Sequence, residues 1–156
     1  MYEKILVPLD GSKVGEAALP YVEDLVSKLS PEVKVEIILL QVLSPTASHV
    51  TGGYAIPEVE HTREEMELNK KKAEDYLNKI GEALTGEGAT VTAKVATGVA
   101  ADEIVKTAEE IKANLIAMST HGRSGLSRWA FGSVTDRVLR RKGTIPITVV
   151  RAPKKD

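Results

Sequence analysis

Short apolar runs alternate along this chain with longer segments in which apolar residues recur every three or four positions. Short runs bounded by Gly, Pro or charged residues are typical of β-strands, and the longer spacing is typical of amphipathic helices. The pattern predicts five strands, at residues 4–10, 33–42, 89–97, 114–120 and 147–150. It predicts four helices between them: one after Ser12, which can cap it, one at about 62–84, one after Gly98 and one at about 133–141.

The order of these elements, β-α-β-α-β-α-β-α-β, indicates the class of fold. A helix between successive strands returns the chain to the same end of the sheet, so the strands pair in parallel through right-handed crossovers. The uniformly apolar first and fourth strands belong in the centre, whereas Val91, Ala93 and Val95 alternate with polar residues, as near a sheet edge. We predict an α/β fold: a single-domain open parallel five-stranded sheet of order 3-2-1-4-5 with helices on both faces, Rossmann-like or flavodoxin-like.

Length and composition narrow the class of protein. A chain of 156 residues fits one domain, residues 1–156, and the segment at about 43–60, which has no periodicity, is expected to be a mobile loop. The absence of cysteine excludes disulfide frameworks, thiolate metal sites and cysteine nucleophiles. Because no apolar run approaches the ~18 residues of a membrane span and no signal peptide is recognised, we expect a cytoplasmic protein without a membrane partner. Aromatic residues make up 4% of the chain, which argues against nucleic acid as a partner.

Charge is distributed unevenly along the chain. Residues 1–120 carry 12 Lys and Arg against 20 Asp and Glu, whereas residues 121–156 carry 9 against 2. A basic C-terminal quarter on an acidic body favours an anionic ligand nearby. Scattered solvated charges with a basic tail would give the same count.

The predicted strand order also places a binding site. In an open α/β sheet, ligands bind beyond the carboxyl ends of the strands where the order reverses, here between the first and fourth strands. Two loops meet at that point, Asp10–Ser12 and Ser119–Ser133. The site is therefore expected between these loops.

The second of these loops has the composition of a phosphate-binding segment. It contains three glycines and two arginines: Gly122, Arg123, Gly125, Arg128 and Gly132. Glycines let a backbone approach a phosphate closely, and the first N–H groups of the helix that follows attract an anion. Turn glycines alone can explain such a loop, but glycines, charge and position together favour a phosphate.

Other phosphate-binding motifs do not match. A P-loop needs GxxxxGK[ST] and a dinucleotide fold needs GxGxxG after the first strand, and neither occurs there. A receiver domain needs an acidic pair after the first strand and an aspartate ending the third, whereas this chain has Asp10 alone and Ala96-Thr97-Gly98. A flavodoxin would carry its phosphate loop where only Gly11-Ser12 stands.

Two stretches carry a family resemblance. After the fourth strand the sequence reads Ser119-x2-Gly122-x9-Gly132-Ser133, followed by Val134-Thr135, and the chain opens with ILVPLDGS. Over essentially its whole length it resembles the universal stress protein family, whose nucleotide-binding branch has G-x2-G-x9-G-[ST] after strand 4. Ser119 stands in the place of the first glycine of that pattern, and the other three fixed positions match.

The resemblance implies a regulatory protein of the stress response that binds an adenine nucleotide, ATP, with Mg²⁺ bridging its phosphates. Carried over position by position, it places Pro8, Asp10 and Val42 around the adenosine, and Met118 and Ser119 beside the sugar and base. The phosphates would be held by residues around the start of the last helix: Gly122, Arg123, Gly132, Ser133, Val134 and Thr135. No catalytic residue and no metal-ligating side chain is expected.

Alternatives remain open at this point. A slow ATP hydrolase would use the same loop with His121 or Asp10. Asp10 is expected at the ribose and His121 has no evident residue to orient it, so turnover far below ~1 s⁻¹ is expected. An interaction module of the same family that binds no nucleotide is a second alternative, against which Gly122 and Gly132-Ser133 argue. Asp10 can also be a turn or helix cap, and Met118 can be a core residue.

The last strand predicts an assembly. Pro146 precedes Ile147–Val150, and proline is tolerated at the start of an edge strand. An exposed apolar edge favours pairing with another chain, and the same strand of a second copy about a two-fold axis would cover it. The family resemblance implies the same homodimer through the last strand.

Overall fold

A computed structural model describes residues 2–47, 50–51, 54–55, 59–84, 88–120 and 133–153. The elements follow one another in the order β1 Tyr2–Pro8, a 3₁₀ turn Gly15–Ala18, α1 Leu19–Ser27, β2 Lys34–Leu43, β3 Thr46–Ala47, β4 Val50–Thr51, β5 Tyr54–Ala55, β6 Val59–Glu60, α2 Arg63–Leu84, β7 Ala89–Thr97, α3 Ala100–Glu110, β8 Leu115–Thr120, α4 Ser133–Arg140 and β9 Ile147–Arg151. Within these residues, no helix combines the length and the apolar character that crossing a membrane requires.

Five of the strands form one parallel sheet in the order β7-β2-β1-β8-β9, which confirms the predicted order 3-2-1-4-5. In its register, Ile37 of β2 lies beside Ile5 of β1 on one side and Val91 of β7 on the other. At the opposite edge, Ile147 of β9 lies beside Ile116 of β8. The last strand is therefore an edge strand, as Pro146 predicted.

Neighbouring side chains of the central strands enter two separate hydrophobic layers. Val7 and Leu39 lie in the layer under α1 and α2, whereas Leu6 and Leu40 lie in the layer under α3 and α4. All four side chains are fully buried. Because both faces of the sheet are covered, these strands are apolar at successive positions, which explains why the sequence shows runs here.

The first helix begins later than the position of Ser12 suggested. A 3₁₀ turn precedes it at Gly15–Ala18, and α1 itself starts at Leu19. Ser12 still supports this start, because its Oγ accepts a hydrogen bond from the N–H of Gly15 at 3.0 Å. Ser12 thus caps the 3₁₀ turn, through the N–H of its first residue, and not α1 itself.

The segment at 43–60 contains short antiparallel pairs among its described residues. β3 pairs with β6, which places Thr46 beside Glu60, and β4 pairs with β5. The N–H of His61 also donates to the carbonyl of Pro45 at 3.1 Å. These contacts bring the two ends of the segment together, and its mobility stays a prediction.

α2 is anchored to the sheet through its second half. Its buried residues are Ala73, Leu77, Gly81 and Leu84, and residues 63–72 bury none. A capping box closes its first turn: the N–H of Thr62 donates to Glu65 Oε2 at 2.8 Å, and the N–H of Glu65 donates to Thr62 Oγ1 at 3.1 Å. The hydrogen bond from the Thr62 N–H lowers the pKa of the Glu65 carboxyl below its ordinary value.

Replacing Glu65 with alanine is expected to lower the melting temperature at neutral pH and to have little effect in acid. The folded-state pKa is depressed, so the carboxylate stabilises the fold above its unfolded-state pKa and loses this effect as the pH falls through the folded-state pKa. Thermal melts followed by circular dichroism at about pH 3 and about pH 7 measure the difference. Glu64→Ala, which removes a charge from the same turn, is the matched control. An equal, equally pH-dependent change in both variants would contradict the role of the capping box.

Met118 is expected to contribute to the core independently of any ligand, because it lies in the layer under α3 and α4 with 4% of its surface exposed. Met118→Ala should lower the free energy of unfolding by about 2–5 kcal/mol, and Met118→Leu by less than about 1.5 kcal/mol. Urea unfolding measures both. Met66→Ala, at a half-buried position of α2, is the control and should cost less. Equal losses at the two methionines would argue against a core role for Met118.

Candidate functional site

A cleft opens beyond the carboxyl ends of β1 and β8, where the strand order reverses. The two strands pair through Ile5 with Leu115 and Leu6 with Ile116. After β1 the chain continues to α1 on one face of the sheet, and after β8 it continues to α4 on the other face. The strand ends therefore separate, and a cavity of about 120 Å³ lies between them.

The cleft brings together most of the residues that the sequence predicted for the site. Those that line it are Pro8, Asp10, Val42, Met118, Ser119, Val134 and Thr135. Ser133 opens α4 with an exposed side chain and does not line the cleft. Gly122, Arg123 and Gly132 lie outside the described residues. Both predicted loops thus contribute to one place.

One part of the cleft is apolar. Leu40, Ile104 and Met118 are buried there, and Val42 and Ala100 are partly buried. Sequence reasoning missed three of these residues. The two-residue spacing from Val42 could have indicated Leu40, whereas Ala100 and Ile104 come from α3 and no local pattern marks them. This part of the cleft suits a flat, largely apolar group.

The carboxylate of Asp10 lies at the end of β1. Its Oδ1 accepts hydrogen bonds from the N–H of Ser12 at 2.9 Å and from the hydroxyl of Ser12 at 2.6 Å. Both bonds fall on the same oxygen, and within the described ranges Oδ2 has no hydrogen-bond partner. Asp10 is therefore a turn cap, as the sequence allowed, and also an exposed carboxylate at the cleft with one oxygen available.

Two glycines let the chain turn closely around Asp10. Gly11 has a φ of 84°, in the left-handed region that favours glycine. A Cβ atom on Gly15 would lie 2.5 Å from Asp10 Oδ1, so a side chain there would displace the carboxylate. Gly15 also lines the cleft. The position of Asp10 thus depends on glycine at position 15, which belongs to none of the motifs in the sequence.

Ser119 connects the end of β8 to the 3₁₀ turn. Its hydroxyl donates to the carbonyl of Gly15 at 2.7 Å and accepts the N–H of Ala18 at 2.8 Å. Its own carbonyl accepts the hydroxyl of Thr135 at 3.3 Å. In the described part of the chain, positive φ among non-glycine residues occurs at Lys112, so the backbone of Ser119 does not require glycine. The serine fits this position and adds contacts that glycine lacks.

The first turn of α4 lies at the same cleft. Val134 and Thr135 line the cavity from this turn, and Thr135 is buried. The first N–H groups of a helix have no partner within the helix and carry the positive end of its dipole. This part of the cleft therefore stabilises negative charge, whereas Asp10 supplies a negatively charged acceptor.

Glu16 links the 3₁₀ turn to α2. The hydroxyl of Tyr76 donates to Glu16 Oε1 at 3.0 Å, and Lys13 Nζ lies 3.1 Å from Glu16 Oε2. Burial raises the pKa of the Tyr76 hydroxyl far above its usual range, and the carboxylates of Glu16 and Asp10 raise it further. Tyr76 therefore stays a neutral donor, and the turn beside the cleft is held from α2 as well as from β8.

Known proteins resemble this chain over nearly all of its length. The model of the universal stress protein family matches residues 1–151. Universal stress protein MJ0531 of Methanocaldococcus jannaschii is 31% identical over 156 residues, which cover 100% of this chain and 86% of that protein. Universal stress protein MJ0577 of the same organism is 32% identical over 160 residues, covering 97% of this chain and 96% of that protein.

Solved structures share the fold. The structure of MJ0577 matches with a TM-score of 0.69 at 31% identity and covers 99% of both chains. A universal stress protein in complex with cAMP matches with a TM-score of 0.64 at 19% identity, and the match covers 97% of this chain and 98% of that one. A universal stress protein family protein from Arabidopsis thaliana with AMP bound matches with a TM-score of 0.63 at 17% identity. This match covers 97% of this chain and 92% of that one. Sequence, fold and length agree, and the chain belongs to the universal stress protein family.

Proposed function

We propose that this chain is a cytoplasmic regulatory protein that binds ATP in the cleft at the ends of β1 and β8. The observation that carries the proposal is the composition of the cleft: an apolar recess, an acceptor carboxylate and a helix N-terminus meet at the switch point of the sheet. These features suit the base, the ribose and the phosphates of a nucleotide, in that order.

Two neighbours of the same fold support adenine nucleotides as the class of ligand, since one is in complex with cAMP and the other has AMP bound. Their identities of 19% and 17% relate them to this chain through the fold. The assignment of ATP therefore rests on the residues of this chain, including the loop that precedes α4.

Different residues of the cleft would contact the base, the ribose and the phosphates of the proposed ligand. Leu40, Val42 and Met118 would enclose the base, where apolar contact replaces water. Asp10 Oδ2 would accept a ribose hydroxyl, because a carboxylate only accepts and a hydroxyl can donate. The first turn of α4, beginning at Ser133, would face the phosphates with its free N–H groups. In sequence, Gly122, Arg123 and Gly132 would complete this cradle.

Mg²⁺ is part of the proposed ligand. This ion keeps several waters and is usually bound through substrate phosphates and one or two carboxylates rather than by an all-protein cage. When bound, it supplies neutralisation of phosphate charge. The protein then contributes the shape of the cleft and the N-terminus of α4.

We propose binding without rapid turnover. Hydrolysis requires a group that orients the attacking water, besides stabilisation of the transferred phosphoryl group. Asp10 is the carboxylate at the cleft, yet its Oδ1 is occupied by Ser12, and the proposal assigns its Oδ2 to the ribose. Ground-state binding without extra stabilisation of the transition state does not accelerate a reaction.

ATP is expected to release or absorb heat on binding to the purified chain and to raise its melting temperature, because a ligand that binds only the folded state stabilises it. Gly132→Val is expected to abolish both effects, since a branched side chain would obstruct the approach of a phosphate to the start of α4. Isothermal titration calorimetry and thermal melts with and without ATP and Mg²⁺ measure them.

Gly143→Val is the matched control for this experiment. Gly143 follows α4, and a Cβ atom there would meet no atom within 4 Å. This variant should bind ATP as the unmodified chain does. The proposal would be contradicted if the unmodified chain showed no heat of binding and no thermal shift at millimolar ATP.

We also propose a homodimer through β9. This strand lies at the edge of the sheet beside β8, and its side chains from Ile147 to Val150 are partly buried within one chain. An edge strand presents backbone groups that can pair with another strand. The same strand of a second copy, related by a two-fold axis, would satisfy them and cover the apolar side chains.

Val149→Lys is expected to convert the dimer into a monomer, because burying an unpaired ammonium group in an apolar contact is costly. Light scattering coupled to size-exclusion chromatography at micromolar concentration measures the mass. Thr92→Lys, on the opposite edge strand β7, is the matched control and should leave the dimer intact. A monomeric unmodified chain would contradict the homodimer.

A further inference from the structure

We infer that Ser119 is a positioning residue for Asp10, acting through a hydrogen-bonded path across the 3₁₀ turn. The inference rests on the proposed function, in which Asp10 contacts the ribose of the nucleotide. The family pattern has glycine where this chain has Ser119, so that pattern does not account for the contacts of the serine side chain.

The path runs from the end of β8 to the end of β1. The hydroxyl of Ser119 donates to the carbonyl of Gly15 at 2.7 Å, and the N–H of Gly15 donates to Ser12 Oγ at 3.0 Å. The hydroxyl of Ser12 then donates to Asp10 Oδ1 at 2.6 Å. Gly15 connects the two halves of the path through its backbone, and the Ser12 hydroxyl both accepts one bond and donates the next.

Ser119 holds the turn at both of its ends. Besides donating to Gly15, its Oγ accepts the N–H of Ala18, which is fully buried, at 2.8 Å. At the other end there is little free space, since a Cβ on Gly15 would lie 2.5 Å from Asp10 Oδ1. A small shift of the turn away from β8 would therefore change the space in which the carboxylate of Asp10 lies.

A direct contact between the Ser119 side chain and a ligand explains these bonds less well. The hydroxyl has a single proton, which Gly15 already receives, and one of its acceptor positions is used by Ala18. Asp10, in contrast, keeps Oδ2 without a partner in the described residues. The group available to the sugar is thus Asp10, and Ser119 acts on it from the other end of the turn.

The test compares ATP with 2′,3′-dideoxy-ATP, which lacks both ribose hydroxyls. Ser119→Ala is expected to weaken ATP binding about tenfold and to change dideoxy-ATP binding by less than about twofold. Asp10→Asn should give the same selective loss, and the double variant should lose little more than either single variant, because both changes remove one interaction. Calorimetric titration of the four proteins with both nucleotides measures these ratios.

The control is Ser27→Ala, which removes a hydroxyl that donates to the carbonyl of Asp24 at 2.7 Å at the end of α1. It should change the affinity for neither nucleotide. If Ser119→Ala does not fold, Ser12→Ala interrupts the same path and should show the same selective loss of ATP. A parallel loss of both nucleotides, or no loss of either, would overturn the inference.

A measurement on the ligand-free chain separates this inference from the proposed function. The amide of Ser12 donates to Asp10 Oδ1, so its hydrogen exchange reports how firmly the turn holds the carboxylate. Ser119→Ala is expected to speed this exchange severalfold, and unchanged exchange would overturn the positioning role. Failure of the unmodified chain to bind ATP would instead overturn the proposed function.

Discussion

The divergence of the chain after β1 and β8 is the constraint on which the rest of the structure depends. The two strands pair at Ile5 with Leu115 and at Leu6 with Ile116, and they then lead to helices on opposite faces of the sheet. Because the helices that follow lie on opposite faces of the sheet, a gap remains at the ends of these two strands. The cleft therefore has core side chains such as Met118 as its walls and loop and helix ends at its mouth.

Polar groups at this divergence stabilise one another. Thr135 is 3% exposed, yet its hydroxyl donates to the carbonyl of Ser119, and the hydroxyl of Ser119 in turn bonds two backbone groups of the 3₁₀ turn. A buried polar group without a partner costs about 1–3 kcal/mol. Because each of these two hydroxyl groups has a backbone partner, both can lie where the hydrophobic layers meet the ends of the strands.

Local patterns made the fold predictable, because strands covered on both faces are apolar throughout and alternate in sequence with helices. The strand order then indicated the position of the cleft, and the resemblance pointed to lining residues such as Val42. Other features depend on distant parts of the chain and could not be read locally. The hydrogen bond from Ser119 joins residues 104 positions apart, and Ile104 reaches the cleft only through the packing of α3. The late start of α1 was missed because the residues of a 3₁₀ turn show no distinct periodicity.

The uneven anchoring of α2 divides this helix into a weakly held first part and a second part that packs on the sheet. Residues 63–72 are supported by exposed ion pairs such as Arg63 with Glu67 at 3.5 Å, and salt screens pairs of this kind. Fraying can begin at this end while the half from Ala73 to Leu84 stays packed on the sheet. The segment at 43–60 joins the helix at the weakly held end. A disturbance of that end can therefore leave the packing of the second half of α2 on the sheet in place.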